Sequence, residues 1–244
     1  MIPDVVFVHG LYQALGHLRE IPVPAPVRVR VVDLLGFGEH AGAVPPRSLH
    51  AQVEHVASEL DRHGIARAAI AGHSIGGAVA MLLAAAHPER VSAVVNVEGN
   101  FTLADAFWSS KLAAMSPGEA EALVAARRRD QSPWFAENGI EATPRRTACV
   151  RRMFEAGPAS AVHALARAAV DDTSRPEYLP TLERAPDRGI PVHLFAGERS
   201  RAAWSVPDSF VRRAASFTTQ PGVGHMMPIE EPEEFLRLVA AALR

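Results

Sequence analysis

A serine between two glycines, in Gly72-His73-Ser74-Ile75-Gly76, is the segment of this chain best suited to chemistry. A serine hydroxyl is a weak nucleophile until a base takes its proton. It also needs donors to hold the negative charge that its attack creates. An apolar run at residues 68–71 precedes the segment, and an Ala/Leu-rich stretch at 77–86 follows it. This order predicts a strand, a sharp turn with Ser74 at its apex, and a helix. Without side chains at Gly72 and Gly76, strand and helix can approach closely. The new helix then aims its free N–H groups and positive dipole end at the hydroxyl.

Eleven histidines compete for the role of base. His225 is favoured because it ends a Gly-rich loop, Pro221-Gly222-Val223-Gly224-His225, just before the last helical pattern. His73 adjoins the serine but must point elsewhere across so tight a turn. His9 ends the first strand pattern and is expected to shape the loop that follows. An imidazole base needs a third group to fix its tautomer. Two strand-end carboxylates qualify, Glu98 and Glu198, and both preserve the chain order serine, acid, histidine. Asn96, Asn100 and Thr102 lie near Glu98 in sequence and are candidate supports for its carboxylate. The oxyanion donors expected from position are the backbone N–H groups of Ile75 and Leu11.

The elements that must position these groups alternate between strand and helix. Strand patterns fall at residues 5–8, 27–32, 68–71, 91–97 and 191–196. Helical patterns fall at 48–63, with Ser48 as N-cap and Gly64 as stop, at 77–86 and at 232–243. Such alternation argues for a parallel sheet covered on both faces. Residues 100–188 differ: helical periodicity, several prolines and no strand pattern. Residues 100–185 hold eleven basic and eleven acidic side chains. They read as a helical lid inserted into a core formed by 1–99 and 189–244, and lids exclude water from a site. The run Arg127-Arg128-Arg129 reads as a solvated helix face. Phe107, Trp108, Trp134 and Phe135 in this region, and Tyr12 beside the first loop, are candidate pocket residues.

Composition excludes other classes. A net charge of -2 offers no footprint for nucleic acid or an anionic membrane surface. The single cysteine, Cys149, leaves no internal disulfide and fits a reducing, cytoplasmic setting. Met1-Ile2-Pro3-Asp4 lacks the basic start of a signal peptide. No His-Glu-x-x-His, Cys-x-x-Cys or dinucleotide fingerprint is present, so the motifs imply neither metal nor cofactor. Oligomeric state leaves no signature.

Five motifs in register make the chain resemble the α/β-hydrolase superfamily. They are His9-Gly10 after a strand, Asp33-Leu34-Leu35-Gly36-Phe37-Gly38 after the next, Gly72 through Gly77, His87-Pro88-Glu89-Arg90-Val91, and Gly224-His225. The match covers both sheet-forming portions and not the lid. The resemblance implies an α/β-hydrolase fold with a mostly parallel sheet. The chain begins almost at the His-Gly strand, so the sheet is expected to have about six strands, without the superfamily's two leading antiparallel ones.

The superfamily's usual acid is an Asp in the position of Ser200, and a hydroxyl cannot offset an imidazolium charge. Some members carry the acid one strand after the nucleophile, where Glu98 stands. The resemblance therefore selects Glu98, with Glu198 as the alternative. Ser74 argues against the branches that attack haloalkanes or epoxides with Asp. The implied activity is hydrolysis of a small, fairly apolar ester or thioester through an acyl-enzyme on Ser74. A lyase or cyclase on the same site, or a receptor that retained only the pocket, are the alternatives.

Overall fold

Hydrophobic patterning and pairing place six strands in one sheet. The computed structural model describes residues 4–22 and 27–244, so the reading of Met1 to Pro3 lies outside the described residues. The strands are β1 (Asp4–Val8), β2 (Arg28–Val32), β3 (Ala68–His73), β4 (Val91–Val97), β5 (Val192–Gly197) and β6 (Ser216–Gln220). Their order is β2-β1-β3-β4-β5-β6, and every neighbouring pair is parallel. Successive side chains point to opposite faces. Thus Val6, Val8, Ile70 and Val94 pack into one core. Val5, Phe7, Ala71 and Val95 pack into a second core on the other face, with Phe235 and Val239. β6 carries no apolar alternation and gives no strand pattern in the sequence. As an edge strand it pairs on one side only, with β5, so Phe217 suffices to anchor it.

Helices cover both faces. α1 (Leu49–Arg62) and α2 (Ile75–Ala86) flank β3. Ser48 caps α1 by accepting from the Ala51 N–H at 3.3 Å, and Gly64 ends that segment at φ +64. Between β4 and β5 run α3 (Phe107–Ala113), α4 (Pro117–Arg129), α5 (Ser132–Asn138), α6 (Pro144–Glu155), α7 (Ala159–Thr173) and α8 (Tyr178–Asp187). The chain closes with α9 (Asp208–Arg213), α10 (Met227–Glu230) and α11 (Pro232–Ala242). No helix among the described residues is long and apolar enough to cross a membrane.

The helical segment is less separate than its sequence suggests. α7 and α8 join the main core through Leu165, Ala169, Leu182 and Ala185, packing on α1 and α2. A small core of its own joins α5 and α6 to α10 through Phe135, Val150, Phe154 and Ile229.

The Arg127 to Arg129 run is also not one solvated face. Consecutive helical residues point about 100° apart. Arg127 pairs with Glu137 at 2.5 Å and is largely covered. Arg128 donates to the carbonyls of Phe154 and Gly157, and Arg129 is exposed.

Candidate active site

The sheet order reverses between β1 and β3, because β2 lies on one side of β1 and all later strands on the other. Open α/β sheets bind ligands at such a switch point, outside the strand C-termini. His9-Gly10 leaves β1 there, and Ser74 leaves β3. Ser74 sits at φ 56 and ψ -126, a conformation that non-glycine residues rarely adopt. The turn is over-determined around it. The Ser74 N–H donates to the Val97 carbonyl at 2.9 Å, and the Ser74 carbonyl accepts from the Gly77 N–H at 2.8 Å. A Cβ on Gly72 would collide with the backbone of Gly76, and one on Gly76 with the Val8 carbonyl. Both glycines are therefore fixed by steric contact.

Behind the elbow, Glu98 also takes a positive φ, +43. This turns its side chain off the end of β4 toward β5 and the His225 loop. Oε2 accepts from His225 Nδ1 at 2.7 Å. Oε1 accepts from the Gly197 N–H at 2.8 Å and from the Ser200 hydroxyl at 2.6 Å. Burial opposes ionisation of Glu98. The hydrogen bonds from His225, Ser200 and Gly197 outweigh it and hold the carboxyl below the ordinary glutamate value. With Nδ1 engaged, Nε2 of His225 is the nitrogen left for a proton from the cavity. Ser74, His225 and Leu11 all line that cavity, and Gly10 is so close to Ser74 that a Cβ there would lie 2.8 Å from the serine Cβ. The N–H groups of Leu11 and Ile75 have no acceptor among the described residues.

Glu198 stands elsewhere. Its side chain is exposed and accepts from the Gly222 N–H at 2.7 Å, away from His225. Asn96, Asn100 and Thr102 make no hydrogen bond to the Glu98 carboxylate. Asn96 binds the Gly99 N–H, the Asn100 carbonyl accepts from Tyr178, and Thr102 caps the turn at Asp105. The supports found, Ser200 and the Gly197 N–H, lie about a hundred positions away in sequence. Ser200 stands out in the sequence only for the carboxylate it lacks.

The His225 loop has a clamp of its own. Buried Glu230 accepts from the Gly224 N–H at 2.8 Å and from Arg199 at 2.8 Å, while Arg199 also donates to the Gly222 carbonyl.

The cavity measures about 780 Å³ with its mouth. Tyr12, Trp108 and Trp134 line it. Phe107 and Phe135 do not. Phe107 is 67% exposed; its ring meets Trp108 edge to face, with centroids 5.5 Å apart, on the side away from the cavity lining. Phe135 is buried against Trp134. Met153, Met226 and the Arg127–Glu137 pair also line the cavity, though no motif marks them.

Two buried histidines hold the frame. The Leu34 N–H donates to His9 Nε2 at 3.0 Å, so Nδ1 carries the ring proton and donates to the Gly10 carbonyl at 2.8 Å. His73 donates from Nε2 to the carbonyl of His225 at 2.8 Å, tying the elbow to the histidine loop. Burial pushes His9 down to about 4. Burial, with His225 alongside, pushes His73 down to about 3.

Below the ordinary histidine pKa of about 6.5 the unfolded chain takes up protons that these folded rings refuse. Stability therefore falls as pH drops from about 6.5 to about 4, by up to about 1.4 kcal/mol per pH unit for each ring. Denaturant unfolding at pH 7, 6 and 5 should show this slope, and His73→Gln should lower it by about one proton. An unchanged slope in that variant would remove His73 as a source.

Sheet order, elbow and strand-end histidine together define an α/β-hydrolase fold. The chain belongs to the alpha/beta hydrolase family, whose model matches residues 5–238. It is 41% identical over 98 residues to the lipase LipV of Mycobacterium tuberculosis, covering 37% of this chain and 35% of that one. It is 38% identical over 98 residues to a pimeloyl-[acyl-carrier protein] methyl ester esterase of Vibrio atlanticus, covering 39% and 36%. The chain thus spans about a third of the length of these relatives. Among solved structures, a thermophilic esterase from Thermogutta terrifontis superposes with a TM-score of 0.69 at 22% identity, over 99% of this chain and 89% of that one. That likeness is one of fold.

Proposed function

We propose that this chain is a serine hydrolase acting on small, fairly apolar esters or thioesters. The observation that carries the reading is the 2.7 Å bond between His225 Nδ1 and buried Glu98, beside a cavity that both Ser74 and His225 line. In the proposed cycle His225 Nε2 takes the proton of Ser74 as Oγ attacks the substrate carbonyl. The N–H groups of Leu11 and Ile75 hold the oxyanion. Glu98 keeps the proton of His225 on Nδ1 and supports the imidazolium that forms. The imidazolium then protonates the leaving group, and an acyl-enzyme remains. Water, deprotonated by the same ring, releases the acid and restores Ser74.

Substrate character follows from the walls: Leu11, Leu112, Leu123, Met153 and Met226 supply apolar contact. The relatives named lipase and methyl ester esterase support ester chemistry.

A fluorophosphonate probe, with a panel of p-nitrophenyl esters of increasing acyl length, tests the reading. Stoichiometric labelling at Ser74 and turnover of the short esters are expected. Labelling without turnover of any ester or thioester would sink it. Trp108 and Phe107 provide a paired test. Trp108→Ala should lower kcat/KM about tenfold by removing apolar contact, whereas Phe107→Ala should leave it within about twofold. Equal losses in the two variants would show that the cavity wall is drawn wrongly.

A further inference from the structure

A second cluster of chemically capable side chains lies on the far side of the Asp33 loop. His55 and Glu59 are one helical turn apart on α1, so they share a face. His40 comes onto that face from the short helical turn Gly38–His40. One ring nitrogen of each histidine and one oxygen of Glu59 lie within 4.8 Å of one another. His40 Nε2 is 3.5 Å from Glu59 Oε1. The two rings meet edge to face with centroids 4.5 Å apart.

Packing alone leaves one feature of this cluster without an account. His40 Nε2 is shielded from solvent and has no hydrogen-bond partner, which is costly for a ring nitrogen. Nor is His55 free to supply one. Its Nε2 donates to the Asp33 carbonyl at 3.0 Å, leaving the Nδ1 lone pair available. A carbonyl partner on one ring nitrogen, with the other presented to a common point, is how ligating histidines are oriented. Glu59 is itself buried, and Arg62 anchors it through Nε to both oxygens, at 3.0 and 3.1 Å, and through a terminal NH₂ to Oε2 at 2.5 Å. Oε1, the oxygen facing His40, accepts once from Arg62 and keeps a second lone pair for another partner.

We propose that His40, His55 and Glu59 form a binding site for a divalent transition ion of the zinc type, separate from the serine site. Two imidazoles and one carboxylate suit zinc, with water completing a tetrahedron. An ion held there would act as a clip between two segments. It would tie the Gly38–His40 turn to α1 and, through His55 and Asp33, to the end of β2. The spacing escapes motif reading because one ligand comes from a loop and the helical pair is an ordinary i, i+4 match.

The test uses the full chain, stripped with chelator and titrated with zinc against a chromogenic chelator. One zinc per chain is expected, with a higher denaturation midpoint when zinc is added. His40→Ala and His55→Ala should each weaken zinc binding at least about tenfold. His50→Ala, an exposed histidine on the same helix, should leave it unchanged. Arg62→Gln should bind at least as tightly as the wild type, because it removes a competing cation and keeps all three ligands. Circular dichroism checks each fold, and His→Gln replaces any alanine variant that does not fold. No stoichiometric uptake by the wild type would overturn the site. So would wild-type affinity in both histidine variants, or a loss in Arg62→Gln as large as in His55→Ala. None of these readouts depends on hydrolase activity.

Discussion

Ser74→Ala is expected to lower turnover by about 10⁶-fold while the protein stays folded. The loss is this large because, in the proposed cycle, no other group can form the acyl-enzyme, and His225 then has nothing to deprotonate but water. Stability should respond differently. Alanine keeps a Cβ, so the strain of φ 56 and ψ -126 at residue 74 remains. Glycine has no Cβ and relaxes it. Backbone strain of this kind costs about 1–3 kcal/mol. Ser74→Gly should therefore be as inactive as Ser74→Ala but more stable by about 1 kcal/mol, a rise of about 2–4 °C in Tm for a chain of this size. Burst titration with an activated ester and a thermal melt of both variants measure the two effects. Turnover within tenfold of wild type in Ser74→Ala would end the case for this nucleophile. Equal melting of the two variants would mean that the elbow stores no strain.

Some of this molecule is legible in its sequence and some is not, for reasons that differ by element. The buried strands β1, β3 and β4 are readable because both faces are apolar and turn residues bound them. The elbow is readable because its two glycines and its serine stand together as one continuous motif, although Gly76 is forced by the sequence-distant Val8 carbonyl. His225 stands out through its Gly-rich loop. Support for Glu98 is not readable, since Ser200 and the Gly197 N–H reach it across β5 and leave no local pattern. The same holds for Glu230 and Arg199 under the His225 loop, and for His40 beside α1. β6 is hidden because an edge strand with one anchoring aromatic needs no alternation. The cavity wall is half legible. Aromatic type marks Trp108 and Trp134, but the 100° step that separates Trp108 from Phe107 emerges only once α3 has been docked on α7.

Replacing Glu98 with glutamine should cost about 10⁴ in turnover, although the side chain keeps its shape. The reason is the donor count around the carboxylate. Oε1 faces two donors, the Gly197 N–H and the Ser200 hydroxyl, while Oε2 faces His225 Nδ1. The Ser200 hydroxyl can rotate to accept, but a backbone N–H cannot. The substituted amide must therefore give its oxygen to Gly197 and its NH₂ to His225. An NH₂ against Nδ1 requires the lone pair there, which moves the ring proton to Nε2, where the base must be empty. Charge at the same place should restore function from a different residue. Ser200 Oγ lies 2.6 Å from Glu98 Oε1, so Ser200→Asp brings a carboxylate into the same shell. The pair Glu98→Gln with Ser200→Asp is expected to recover about 10²-fold over Glu98→Gln alone. Ser200→Asp in an otherwise wild-type chain should be less stable than wild type near neutral pH, because two carboxylates then compete for one buried site. Glu198→Gln should stay within about twofold of wild type, since its partner is the Gly222 N–H at the surface. Steady-state kinetics on the four variants decides between the two glutamates. Loss confined to Glu198→Gln would transfer the acid's role there and leave the Glu98–His225 bond a structural contact.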